Sequence, residues 1–179
     1  MARFQTCLAI VLGHEGGFVD HKNDRGGATN YGVADAADGK KDGLIDVDRD
    51  GVGDVAPRNL TLEQAEAIYL RDYWGPAQCA RIPEPLDLLV FDASVNHGPG
   101  RAIKLLQQVL GVVDDGIIGS GTLAALREDI RAGSIADVCH AYLNNRRSFY
   151  DKIIARDPSQ AVFAKGWGNR VDHLEQMVA

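Results

Sequence analysis

Apolar residues in this chain recur at intervals of three and four along most of its length. That is the period of an α-helix with one buried face, and it excludes a fold built mainly from sheets. Phe4, Cys7, Leu8, Val11 and Leu12 set a first helix, ended by Gly16-Gly17. Thr61-Leu-Glu-Gln64 is a capping-box pattern, and Leu62, Ala65, Ile68 and Tyr69 continue it as a helix to about Asp72. Pro85 suits the first turn of a helix that buries Leu86, Leu89, Val90 and Ala93 and stops at Gly98-Pro99-Gly100. Ala102 to Leu110 and Thr122 to Arg131 are two more. Ser134 caps a long helix through Tyr142 and Phe149 to Ile153, and a last one holds Val171, Leu174 and Val178. Residues 18–33, rich in Asp, Asn and Gly, read as a small β-hairpin or loop layer near the N-terminus. The expected class is mainly α, or α+β with a minor β part, with about seven helices.

Net charge is −6, and no basic stripe of the kind that nucleic acids require is present. No apolar run approaches the ~20 residues of a membrane span, so membrane insertion is not expected. Cys7, Cys79 and Cys139 are too widely spaced for a zinc knuckle or redox pair. Cys7 and Cys139 fall on apolar helix stripes and read as buried thiols. The first residues lack the cleavage site of a signal peptide, which gives the expectation of synthesis in the cytoplasm.

Glu15 follows Leu8 and Val11 on the apolar face of the first helix and stands at its C-terminal end. Burial and the helix dipole both favour the protonated carboxyl there, as a general acid near neutral pH needs. A last-turn glutamate that bends out to water is the plainer alternative. Asp24 and Thr29 follow in Asp24-Arg-Gly-Gly-Ala-Thr29-Asn-Tyr-Gly. A carboxylate on a Gly-rich hairpin can face a carboxyl at a helix end, the layout of glycoside hydrolysis. A threonine hydroxyl beside it can help hold a water. Ordinary turn chemistry explains the same residues equally well. Tyr31, Tyr73, Trp74, Asn96 and His97 are candidates to line a sugar groove, with core packing or helix termination as the alternatives.

Five stretches in order carry a resemblance to a known family: Glu15-Gly-Gly-Phe-Val with Asp24 to Val33; Glu66-Ala-Ile-Tyr-Leu-Arg-Asp-Tyr-Trp74; Phe91-Asp-Ala-Ser-Val-Asn-His-Gly98; Leu106 to Gly111; and Asp115 to Leu123. The chain resembles glycoside hydrolase family 108, the bacterial and phage N-acetylmuramidases that include endolysins, with a C-terminal peptidoglycan-binding-like region. The resemblance implies a lysozyme-like catalytic lobe over residues 1–90 and a helical lobe over residues 91–179, packed as one compact unit. It implies Glu15 as the catalytic acid. By likeness to phage-type lysozymes, Asp24 and Thr29 position or activate water, with Asp20 the rival second carboxylate. The implied reaction is hydrolysis of the β-1,4 bond between N-acetylmuramic acid and N-acetylglucosamine by a monomer that needs no catalytic cofactor. A holin-type partner would release it to the wall. A lytic transglycosylase and a non-catalytic, calcium-dependent wall-binding protein are the alternatives.

Residues 35–56 depart from the family pattern. Asp46-Val-Asp48-Arg-Asp50-Gly51-Val52-Gly-Asp54 is the front of an EF-hand loop, and residues 35–54 hold seven Asp. Asp46, Asp48, Asp50 and Asp54 would supply carboxylates and Val52 its backbone carbonyl. The twelfth place, where a bidentate Glu belongs, is Pro57, so the loop is incomplete or takes a ligand from Asp42 or Glu63. The expectation is a structural Ca2+.

Overall fold

A computed structural model describes residues 2–15, 28–35, 39, 40 and 42–178, with the side chain of residue 15 left aside. Asp20 and Asp24 therefore lie outside the described residues. Seven α-helices and one two-stranded sheet are present among the described residues, the mainly-α class that the periodicity predicts. The chain divides into two compact units, Met1–Asp72 and Tyr73–Ala179.

In the first unit, α1 (Ala2–Glu15) buries Phe4, Cys7, Leu8 and Val11 and packs on α2 (Leu62–Tyr69) through Ala65 and Ile68. The capping box at the start of α2 is complete. Gln64 N–H donates to Thr61 Oγ1 at 3.2 Å, and Thr61 N–H donates to Gln64 Oε1 at 2.9 Å. The helix expected to reach Asp72 ends at Tyr69 and runs on as a π turn, Leu70–Trp74. Strands β1 (Thr29–Asn30) and β2 (Val33–Ala34) pair antiparallel, Thr29 with Ala34 and Asn30 with Val33. Tyr31 and Gly32 between them have φ of 50° and 74°. A two-residue hairpin with this twist requires positive φ at both central positions, and a tyrosine there is strained by ~1–3 kcal/mol. Two bonds hold the turn. Tyr69 OH donates to the Tyr31 carbonyl at 2.9 Å, and Asn30 Nδ2 donates to the Pro57 carbonyl at 3.0 Å.

The second unit is built around α3 (Leu86–His97), where Leu86 to Ser94 are all buried. A helix buried on every side belongs to the centre of a bundle. Here α4 (Pro99–Val109) and α6 (Ile135–Arg156) pack against it, while α5 (Ser120–Ala132) and α7 (Ala164–Gln176) pack on α6. Gly98, at φ 81°, turns the chain between α3 and α4, and Pro99 begins α4 with the φ a first turn needs. Ser134 caps α6 as its sequence indicated, accepting from Asp137 N–H at 3.1 Å. Packing divides the chain at 72/73, while the lobe boundary expected at 90/91 falls inside α3, where Leu89, Val90 and Phe91 are all 0% exposed.

All three cysteines are buried, and none of them forms a disulfide. Burial, with the Asp87 carboxylate, pushes the Cys139 thiol up to about 12, so it behaves as a small apolar group.

Candidate functional site

Glu15 is the final residue of α1, four after Val11 and seven after Leu8, both buried. Backbone register alone places position 15 at the end of the buried stripe. The hairpin that follows carries Thr29 on β1, half-buried, and Tyr31 in its turn.

The acidic segment closes on itself. Ile45 and Val55 form an antiparallel bridge, with Ile45 N–H to the Val55 carbonyl at 2.8 Å. Between them Asp46 is 6% exposed and accepts from Arg49 N–H at 2.5 Å and Gly51 N–H at 2.9 Å. Desolvation opposes its charge. These backbone donors and nearby Lys40 overcome it and hold the carboxyl below the usual range. Gly51 has φ 91°, the left-handed turn that the sixth place of such a loop needs. One oxygen each from Asp46, Asp48 and Asp50 lies within 4.8 Å of the other two. An ion with ligands at ~2.4 Å separates opposed oxygens by about that distance, so these three fit a calcium ion. Asp54 is not in that group, and its carboxylate accepts Val47 N–H at 2.7 Å. Val52 is 65% exposed in the seventh place, with its N–H on Asp50 Oδ1 at 2.8 Å. Cations already relieve part of the repulsion. Lys40 Nζ donates to the Gly51 carbonyl, Arg71 donates to the Val47 carbonyl, and Arg49 and Arg71 both pair with Asp72, at 3.1 and 2.7 Å.

In the second unit, Asn96 and His97 end α3. Asn96 Nδ2 donates back to the Asp92 carbonyl at 2.8 Å, a bond that ties it to its own helix. His97 is the outer end of a buried polar chain that the sequence did not disclose. Asp92 lies 0% exposed between two arginines, with Oδ1 2.6 Å from Arg146 Nη1 and Oδ2 accepting from Arg170 Nε at 2.8 Å. Arg146, also 0% exposed, donates from Nε to Tyr150 OH at 2.9 Å. Tyr150 OH lies 3.0 Å from His97 Nε2. The phenol oxygen accepts from Arg146, and the direction of its bond with His97 Nε2 follows the tautomer of the ring. Burial, then the Arg146 charge, lowers the His97 pKa to about 4, against a smaller opposing pull from Asp92. At neutral pH His97 is an uncharged ring offering one N–H.

Aromatic rings surround this end. His97 meets Phe149 and Tyr150 edge-on at 5.2 Å, and Tyr150 stacks on Trp167 at 4.7 Å. Phe163, 52% exposed, lies 5.8 Å beyond Trp167. Tyr73 is half-buried near the start of this unit. Trp74, which the sequence left open between sugar groove and core, is 6% exposed and packs edge-on to Phe91 at 5.2 Å. Large aromatics next to a helix end gain most from burial.

Residues 8–98 match a family model described as glycosyl hydrolase 108. Residues 101–172 match one described as a predicted peptidoglycan domain. The structure of Brucella abortus SagA is similar over 99% of this chain and 94% of its own, at 30% identity and a TM-score of 0.77. No match is found among curated proteins.

Proposed function

The chain belongs to the glycosyl hydrolase 108 family, and from that membership we propose that it hydrolyses the glycan strand of peptidoglycan. The bond is the β-1,4 link between N-acetylmuramic acid and N-acetylglucosamine. The observation that carries this reading is the match over residues 8–98, which spans Glu15 at the end of a helix whose stripe is buried. The matched region at residues 101–172 supports the same polymer as substrate.

Glu15 is the general acid and gives its proton to the leaving glycosidic oxygen. Asp24, with Thr29, holds or deprotonates a water on the opposite face, an inverting reaction when the two carboxyls stand roughly 6.5–9.5 Å apart. Neutral His97 can hydrogen-bond a sugar hydroxyl through its outer ring nitrogen without bringing charge to it. Trp167 and Phe163 join Tyr31, Tyr73 and Asn96 as groups suited to sugar faces and hydroxyls. No helix among the described residues is long and apolar enough to cross a membrane. Delivery to the wall by a holin-type membrane partner belongs to the same proposal.

The test is end-group analysis of purified peptidoglycan digested by the chain. New reducing ends at N-acetylmuramic acid support the reading. Anhydro-sugar ends would assign a transglycosylase, and no soluble product would assign a binding protein.

We propose a structural role for calcium in the same unit, at Asp46, Asp48 and Asp50, with Val52 and Asp54 on the same loop. The fit of three oxygens within 4.8 Å supports it. The ion would brace the segment between β2 and α2 and takes no part in the chemistry. At a calcium concentration about a hundredfold above Kd, the melting temperature should rise by about 5–10 °C and return with chelator. A melting curve indifferent to both would remove the ion from the account.

A further inference from the structure

Helices α4 and α6 of the second unit enclose a cavity of about 200 Å³ that the hydrolytic reading does not use. Arg101 lines it from α4, Lys152 and Arg156 from α6, and no carboxylate among the described residues stands on its wall. Three converging cations in a chain of net charge −6 are a local concentration, not an average. None of the three has an ion-pair partner among the described residues. Arg147, on the same helix, shows the contrast, because Asp172 and Glu175 hold its guanidinium at 2.8 and 2.7 Å.

The remaining wall is suited to a peptide. Asn145 Nδ2 donates to the Leu105 carbonyl at 2.9 Å, which orients the amide and leaves its oxygen to accept an N–H. Gln108, also on the wall, is fixed by its bond to Asp114 at 2.8 Å. Arg101 lies over the Phe149 ring, 5.1 Å from its centroid. A guanidinium held over a ring can still present N–H groups to a planar anion. The Phe149 ring also meets His97 edge-on.

An intact peptidoglycan strand carries its negative charges on the stem peptides, since its sugars are neutral. We infer that this cavity binds a free carboxylate of the peptide stem. This deepens the peptidoglycan reading and rests on it. The same three cations could also hold phosphate, so the test includes both anions.

The experiment is calorimetric titration of the full chain with the synthetic pentapeptide L-Ala-γ-D-Glu-L-Lys-D-Ala-D-Ala and with the same peptide amidated at both carboxyls. Inorganic phosphate is the competitor. The acid form should bind about tenfold or more tightly than the amide, and Arg101→Gln and Arg156→Gln should each weaken it by a similar factor. Both positions are exposed, and unchanged melting temperatures verify the fold. Equal affinity for acid and amide, indifference to both substitutions, or displacement of the peptide by equimolar phosphate would each overturn the assignment. Hydrolysis of peptide-free glycan strands by the unaltered chain is read in parallel. Peptide binding without that hydrolysis keeps the cavity and refutes the hydrolase reading.

Discussion

Glu15→Gln should lower the release of reducing ends from peptidoglycan by ~10²–10⁴-fold, the usual contribution of a positioned general acid. The substitution keeps size and hydrogen-bonding shape and removes only the ability to hand over a proton. The melting temperature should therefore stay where it is, because a neutral amide replaces a protonated carboxyl of the same shape at the negative end of a helix. That pairing separates chemistry from folding. A variant inactive because it has unfolded would show the melting curve of a damaged α1, whose Phe4, Cys7, Leu8 and Val11 anchor the first unit. Full activity in Glu15→Gln would move the acid elsewhere and leave the family membership without its expected chemistry. Asp24→Asn should also reduce turnover, and Asp20→Asn measured beside it decides which of the two carboxylates serves the water.

The helices were legible because each depended on local rules. The capping box at Thr61 and Gln64, the cap at Ser134, and Gly98 before Pro99 all fall where sequence alone placed them. The β layer was legible only roughly: residues 18–33 read as a hairpin or loop, and the paired strands found are Thr29–Asn30 and Val33–Ala34. Burial depth was less legible. An interval pattern marks one inward face of α3, and only packing by α4 and α6 buries the rest. Trp74 illustrates the point, because an aromatic at a helix end reads equally well as groove or as core until Phe91 is seen against it. The polar chain behind His97 could not be read at all. Arg170 is 78 residues from Asp92, and Tyr150 is 53 from His97. A lone Asp in Phe-Asp-Ala-Ser and an Arg pair on an amphipathic helix look like ordinary solvated charges. The one usable signal was Arg146 itself, four residues after Tyr142 and four before Tyr150 on the stripe that faces inward.

Asp92→Ala should cost about 3–5 kcal/mol, the largest stability loss expected from any single substitution outside the apolar core. Asp92 is 0% exposed and answers two guanidinium groups, Arg146 at 0% and Arg170 at 12% exposure. Without it, Arg146 keeps a charge that burial penalises and that Asp92, more than Tyr150 or Tyr142, sustains. Arg146 Nη2 already lacks an acceptor among the described residues, so the site has no spare partner to offer. Water would have to enter between α3 and α6, or the helices would have to part. Either outcome should appear as a drop of about 10 °C or more in melting temperature. Breaking such a pair and replacing it are different operations. Adding Arg146→Met to Asp92→Ala removes the stranded charge and should recover a large part of the loss, giving a coupling of the two sites well above the ~0.5 kcal/mol of independent positions. The double variant should still lack the Arg146 bond that orients Tyr150 toward His97, so the His97 ring resonances should broaden or shift while stability returns. Additive losses in the two variants would show that Asp92 and Arg146 are not the coupled pair their 2.6 Å contact implies.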